Sequence, residues 1–262
     1  MDYKLSKIQS DELFSKLKKD YLILAPKVFK GEGRYSDLDS IRYGEVSSFE
    51  EIEFERKSHY SAKEVLLPIN HIIEVKYNGQ SMKINNDSKK RLIVLRSCDI
   101  HALKRIDNKF LNDEYYRARR ENVKFMVMEC SKSFDTCFCV TMGTNQTEDY
   151  SLGIRFLDDG ILIKNKDDDF NKYFDDDIPK YKFDMNFVKE NETNVNIPDI
   201  KEWDRETLLK AKSLSLWDEY KKRCIGCGSC NMSCPTCTNE IKNENTGVTE
   251  IRRIWSGCQL VK

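Results

Sequence analysis

The chain has 262 residues, of which 39% are hydrophobic, so it can build one large domain or two modest ones around a core. Its 44 basic and 44 acidic side chains balance, so no global charge favours nucleic acid or an anionic membrane surface. The N terminus has no apolar run behind a basic head, and no stretch approaches the ~18 apolar residues of a membrane-spanning helix. We therefore predict a cytoplasmic protein that binds neither nucleic acid nor a membrane.

Helical and strand-like patterns alternate through the first part of the chain. A capped helix that begins at Ser10 precedes the strand-like segment 21–26. A buried-strand pattern at 91–97, apolar residues at helical spacing in 99–110 and a further strand at 123–129 then follow in order. A series of strand, helix and strand predicts an α/β layer.

The pattern divides the chain into two predicted domains. Two alternating runs around the turn 158–160 predict a β-hairpin that belongs to the first domain. The segment 190–201 is polar, weakly periodic and interrupted by Pro198, which makes it the best candidate for a linker. We therefore predict an α/β (or α+β) domain over 1–200, followed by a small helical ferredoxin-like iron–sulfur module over 201–262.

Five of the ten cysteines fall within fourteen positions of the second domain. Disulfides do not persist in a reducing compartment, and bunched thiolates there usually hold metal. Cys224, Cys227, Cys230 and Cys234 follow the spacing C-x2-C-x2-C-x3-C-P, the ligand run of bacterial-type ferredoxins. The spacing favours a [4Fe–4S] cluster over zinc, because structural zinc usually binds two separated C-x2-C pairs.

The last ligand of this tail cluster has several candidates. In two-cluster ferredoxins the cysteine before proline binds the other cluster, so Cys234 would serve a second site. No second C-x2-C-x2-C run follows it in this sequence, which gives a further cluster little support. Cys234, Cys237 and Cys258 are therefore the alternatives for completing a single tail cluster.

A second group of cysteines lies in the first domain, at Cys98, Cys130, Cys137 and Cys139. Cys98 and Cys130 each come just past the C-terminal end of a predicted strand, and such ends open onto one crevice of a parallel sheet. The alternative is that these four residues fill core space as small hydrophobic side chains. Neighbouring Asp99 is a candidate ligand, a hydrogen-bond acceptor beside the site or a helix cap. The residues alone therefore support metal ligation and core packing equally.

The segments that carry the cysteines are similar to the iron–sulfur electron-transfer protein of the anaerobic sulfite reductase complex, which has relatives among sulfhydrogenase β subunits. In chain order, the similar segments are APKVFKGEGRYSDLDSIRYGEV, SAKEVLLPI, RSCDIHALKRID, KFMVMECSKSFDTCFCVTMGTN, RCIGCGSCNMSCPTC and RRIWSGC. The resemblance implies a [4Fe–4S] cluster on the four first-domain cysteines as well. Family members continue into a second ferredoxin-type cysteine run that is missing here, so we expect either a truncated form or one that has lost a cluster.

The resemblance also implies a function in electron transfer. The expected role is to relay electrons from a flavin-containing, NADH-oxidising subunit to a sirohaem subunit that reduces sulfite, within a cytoplasmic sulfite reductase complex. One alternative is the electron-transfer β subunit of a cytosolic hydrogenase or sulfhydrogenase, which would carry the same clusters beside a nickel-containing partner. Another alternative is a zinc-stabilised interaction module, which would be colourless and lack acid-labile sulfide.

The predicted site consists of metal ligands alone, and no catalytic residue is expected on this chain. The candidate ligands are Cys98, Cys130, Cys137, Cys139, Cys224, Cys227, Cys230, Cys234, Cys237 and Cys258.

Overall fold

The computed structural model describes residues 1–35, 37–83, 89–191 and 204–257. Its strands are β1 (Asp2–Ser6), β2 (Leu22–Phe29), β3 (Ser40–Glu45), β4 (Asn70–Tyr77), β5 (Gln80–Lys83), β6 (Arg91–Leu95), β7 (Val123–Met128), β8 (Leu152–Leu157), β9 (Gly160–Asn165), β10 (Asn239–Asn245) and β11 (Val248–Ile254). Its helices are α1 (Lys7–Asp20), α2 (Ser97–Phe110), α3 (Glu114–Arg120), α4 (Arg205–Lys212), α5 (Leu216–Arg223) and α6 (Ser229–Ser233), with 3-10 helices at Phe49–Glu51, Ala62–Val65 and Asp168–Tyr173.

The larger of two sheets has seven strands in the order β1-β9-β8-β7-β6-β2-β3. Its central strands β2, β6, β7 and β8 run parallel. Antiparallel partners flank them on both sides. The mixed α/β character predicted from the alternating patterns is therefore confirmed.

Apolar side chains pack on both faces of this sheet. Successive residues of β6 divide between the faces, because side chains alternate along a strand. Leu92 and Val94 belong to a cluster that includes residues of α1, whereas Ile93 and Leu95 belong to a cluster that includes residues of α2. The sheet is thus covered by helices on both sides, and β6 is buried along its whole length.

The predicted helices and the hairpin are present, with shifted boundaries: α2 begins at Ser97, within the predicted strand 91–97. Helix α1 begins earlier than predicted, because Ser6 rather than Ser10 caps it. The Ser6 hydroxyl oxygen accepts from the Gln9 N–H at 3.4 Å, and the Gln9 side chain accepts from the Ser6 N–H at 3.0 Å. This reciprocal pair satisfies two N–H groups that the helix itself leaves without partners. None of the helices in the described ranges is both long and apolar enough to cross a bilayer.

The smaller sheet has the order β10-β11-β4-β5 and so joins strands from both ends of the chain. Strand β11 pairs antiparallel with β4, from Val248 opposite Tyr77 to Ile254 opposite Asn70. The prediction that the tail is a small helical module is therefore incomplete, since a β-hairpin follows α6. The sequence pattern does not predict this hairpin, because β10 is polar along most of its length. The domain boundary predicted between 200 and 201 lies outside the described residues and stays a prediction.

Candidate metal centres

The four cysteines of the first domain line one cavity of about 720 Å³. Cys98 lies in the first turn of α2, just after β6, and Cys130 comes two residues after the end of β7. The long connection from β7 to β8 brings Cys137 and Cys139 to the same cavity. The shared cavity agrees with the strand-end argument, because β6 and β7 are parallel neighbours. The role of these cysteines as ligands stays a prediction.

Polar groups of the chain already point at two of these sulfurs. The main-chain N–H of Phe134 donates to Cys137 Sγ at 3.3 Å, and the side-chain amide of Asn191 donates to Cys139 Sγ at 3.4 Å. Hydrogen bonds to ligand sulfurs are one of the means by which a protein sets the potential of an iron–sulfur cluster.

The wall of the cavity carries more positive than negative charge. Its described lining includes the cations Lys57, Arg96 and Arg105 and the acid Asp99. Arg96 is buried and fixed in place, since its guanidinium donates to the Phe54 main-chain oxygen at 2.6 Å. Such a wall suits an anionic group, because four thiolates outweigh the positive charge of a [4Fe–4S] core.

The pKa values of two first-domain thiols, Cys98 and Cys130, are raised, which favours their neutral form. Desolvation raises the pKa of the Cys98 thiol well above its ordinary range, and the carboxyl of Asp99 raises it further. Desolvation likewise raises the pKa of Cys130, while Arg96 acts in the opposite direction. Any metal bound here has to displace these protons. Asp99 itself accepts a hydrogen bond from the Tyr43 hydroxyl at 3.1 Å, and Arg96 rather than Asp99 occupies the cap position of α2.

The tail cysteines lie on the segment that joins α5 to α6, on α6 itself and on the loop after α6. Cys224, Cys227 and Cys230 are exposed. Gly226 and Gly228 between them adopt left-handed backbone angles, with φ of 68° and 74°. An added Cβ would meet no atom within 4 Å at either position, so the backbone angle rather than lack of space favours glycine.

Cys234 and Cys237 lie beside each other in this loop. Desolvation raises the pKa of the Cys234 thiol, but hydrogen bonds that involve Cys237 and Thr236 outweigh this effect and lower the pKa overall. Gly257 packs against the same place, since a Cβ there would lie 3.9 Å from Cys237 Sγ. Cys258 lies outside the described residues, so its part in the site stays a prediction.

The donor set has the chemistry of an iron–sulfur site. The free thiols include Cys98, Cys130, Cys137, Cys139, Cys224, Cys227, Cys230 and Cys234. Across the described ranges, no three His, Cys, Asp or Glu side chains are arranged to hold a single metal ion. A [4Fe–4S] cluster binds one thiolate on each of four irons, so its ligands surround a volume rather than one point. The four soft thiol donors around the first-domain cavity therefore fit a cluster in chemistry.

The tail also lines the cavity of the first-domain cysteines. Ser233, Pro235 and Thr236, which flank Cys234 in sequence, line the same cavity as the first-domain cysteines. Helix α6, just before this loop, is fastened to the first part of the chain by a hydrogen bond of 2.8 Å from the Ser61 N–H to the Met232 oxygen. Cysteine spacing could not reveal this contact, because it depends on how the tail folds back onto the first part of the chain.

Lys63 is the site residue that the sequence reasoning missed most clearly. Its side chain is fully buried, and its ammonium donates to the main-chain oxygens of Asn231 at 3.1 Å, Cys234 at 2.8 Å and Cys237 at 2.7 Å. The ammonium also lies 4.2 Å from the centre of the Trp255 ring. Desolvation lowers the pKa of Lys63 to about 8. The available signal was a lysine beside the apolar run of the segment SAKEVLLPI.

Arg34 is a second residue that was missed. One of its guanidinium nitrogens lies 3.3 Å from Cys227 Sγ and also contacts the Ser229 hydroxyl. Hydrogen bonds from Ser229 lower the pKa of the Cys227 thiol, and the charge of Arg34 adds to this effect. The exposed end of the cysteine run is thus also in contact with the first part of the chain.

Among known proteins, the chain is similar to the sulfhydrogenase 2 subunit beta of Pyrococcus furiosus. The two are 26% identical over 242 residues, which cover 86% of this chain and 69% of the relative. The chain is a distant homologue of that subunit. The match supports the expected relation to sulfhydrogenase β subunits. No model of a known protein family matches the chain, and no solved structure matches it.

Proposed function

We propose that this chain is an iron–sulfur electron-transfer subunit of a hydrogenase-like complex, comparable to a sulfhydrogenase β subunit. The observation that carries the proposal is the cavity shared by the four first-domain cysteines and by the residues that flank Cys234. A tail segment with its own run of thiols, docked beside the first group of thiols, is what a one-electron relay within a single subunit needs. The similarity to the sulfhydrogenase subunit favours a hydrogenase-like complex over the sulfite reductase complex.

Each group of cysteines would hold one [4Fe–4S] cluster. The proposed ligands are Cys98, Cys130, Cys137 and Cys139 in the first domain, and Cys224, Cys227 and Cys230 with Cys234, Cys237 or Cys258 in the tail. Such a cluster supplies one-electron redox chemistry when it is bound. The residues of this chain hold the sulfurs in place, and Phe134 and Asn191 donate hydrogen bonds to two of them. Arg96 places a buried positive charge beside the first-domain site, which favours the more negative, reduced form.

The relative is named as one subunit of a sulfhydrogenase, and we propose that this chain also works beside partner subunits. In a hydrogenase-like complex, a nickel-containing partner would carry out the catalytic step. The second candidate is a sulfite reductase complex, in which the partners would be a sirohaem subunit and a flavin-containing NADH-oxidising subunit. The order of similar segments from APKVFKGEGRYSDLDSIRYGEV to RRIWSGC supports this second candidate.

Anaerobic purification of the tagged chain from its source organism tests the proposal. We expect a brown complex with about eight iron atoms and an equal amount of acid-labile sulfide in this subunit, the content of two [4Fe–4S] clusters. A nickel-containing partner would support the hydrogenase-like complex, and a sirohaem-containing partner would support the sulfite reductase complex instead. A colourless chain with zinc and no sulfide would overturn both candidates and indicate an interaction module.

A further inference from the structure

The buried ammonium of Lys63 joins the first part of the chain to the tail. Lys63 belongs to the 3-10 helix Ala62–Val65, and its side chain is fully buried. An ammonium has three N–H donors, and all three here are directed to main-chain oxygens of the tail, on Asn231, Cys234 and Cys237. Two of these oxygens belong to cysteines, and the third belongs to the neighbour of Cys230.

A charge buried in this way is costly unless it is compensated. Within the described residues, Lys63 forms no ion pair with a carboxylate. Its compensation comes from the three carbonyl dipoles and from the face of Trp255, 4.2 Å away. The thiols of Cys234 and Cys237 also interact electrostatically with the ammonium. The positive charge of Lys63 therefore lies against the segment that carries Cys234 and Cys237 and not against an acidic side chain.

We propose that Lys63 is the positioning residue of the segment 230–237, which runs from α6 into the loop after it, and that its charge raises the reduction potential of the cluster bound by the tail. The second half of this inference rests on the proposed function, whereas the first half concerns the chain itself. Three oxygens held by one ammonium fix the loop on the first part of the chain, beside the cavity that Pro235 and Thr236 line. A buried positive charge close to the ligands favours the reduced cluster, which carries one more negative charge.

Hydrogen exchange of the metal-free, full-length protein tests the positioning role. In Lys63→Met, the three oxygens lose their donor, and we expect amide exchange in 230–237 to become about tenfold faster, as the loss of a charge-assisted hydrogen bond predicts. Exchange in α2 should not change. Lys109→Met is the matched control, because Lys109 is exposed and donates to the oxygen of Thr238, next to the loop. This control should leave exchange in 230–237 close to that of the wild type.

A redox titration of the cluster-loaded protein tests the role of the charge. The tail signal is defined as the one that disappears in Cys227→Ser. We expect its midpoint potential to become more negative in Lys63→Met, to stay close to the wild-type value in Lys63→Arg, and to be unchanged in Lys109→Met. The potential of the first-domain signal should be the same in all of these variants.

Each possible outcome bears on the inference. Unchanged exchange in 230–237 of Lys63→Met would overturn the positioning role, and an unchanged tail potential would overturn the role of the charge. A Lys63→Met chain that loses the protection of α2 would show that Lys63 supports the whole core, which also overturns the inference. A wild-type chain that binds no cluster would contradict the proposed function, whereas the exchange result would still decide the positioning role.

Discussion

The indole Nε1 of Trp255 donates a hydrogen bond of 2.9 Å to the main-chain oxygen of Leu67, and both residues are buried. The bond connects the segment after β11 with the segment before β4. It therefore lies at the end of the β11–β4 pairing and joins the same two parts of the chain. Its loss would leave a buried acceptor without a partner, which is costly in a desolvated environment.

We therefore expect Trp255→Phe to lower the free energy of unfolding by about 1–3 kcal/mol, the range for an unsatisfied buried group. Urea denaturation of the metal-free protein, followed by circular dichroism, measures this change. Trp217→Phe is the matched control, since Trp217 is exposed and its Nε1 bonds the Ala211 oxygen in the neighbouring helix. Equal urea midpoints for the two variants would contradict the expectation that the buried hydrogen bond of Trp255 stabilises the fold.

The first-domain cluster can be tested by removing one proposed ligand. Cys98→Ser replaces a thiol by a hydroxyl, a poor ligand for iron, and we expect about four iron atoms per chain instead of about eight. Iron and sulfide analysis of the anaerobically reconstituted protein measures the loss. Met142→Leu, which changes another residue of the cavity wall, should keep the full iron content. Full iron in Cys98→Ser would assign these cysteines to packing.

The tail cluster is tested by Cys227→Ser. We expect this variant to lose one electron-spin-resonance signal of the reduced protein and to keep the signal of the first-domain cluster. Ligation contributes folding free energy, so the segment around Cys227 should also become more accessible to proteases in the loaded protein. Ser213→Ala, in the exposed turn between α4 and α5, is the control. A spectrum identical to that of the wild type would contradict the assignment of this run.

The carboxyl of Asp167 predicts a dependence of stability on pH. Desolvation raises its pKa, but hydrogen bonds from Lys124 at 2.7 Å and Ser151 at 2.8 Å outweigh this effect and lower the pKa overall. A lowered pKa in the folded state stabilises the protein above the unfolded pKa of about 4, and this stabilisation disappears as the pH falls through the folded value.

Lys124→Met should therefore reduce the loss of stability on acidification, compared with the wild type. Urea midpoints measured at a series of pH values below about 5 would show this as a flatter curve. Lys104→Met is the control, because Lys104 forms an exposed pair with Asp149. A curve for Lys124→Met that is as steep as that of the wild type would contradict the stated cause of the pKa shift.

Local patterns in the sequence determined the helices, strands and turns that depend on residues close to one another in sequence. The apolar run of β6, the helical spacing in α2 and the turn between β8 and β9 are each legible within a few residues, because burial and turn geometry act at that range. The spacing of Cys224, Cys227 and Cys230 is equally local. It indicates a type of ligand run without the rest of the chain.

Only the tertiary structure decided how these parts meet. Strand β10 is polar, and it becomes a strand because β11 pairs with β4, far away in sequence. Lys63 looks like an ordinary polar residue in the sequence, and its role depends on three oxygens of the tail, 168 to 174 positions further on. Cys98 and the tail residue Pro235 likewise line one cavity because separate segments dock there. Closing a long loop costs conformational entropy, and such contacts compensate this cost only when many of them form together. No short stretch of sequence can therefore indicate any one of them.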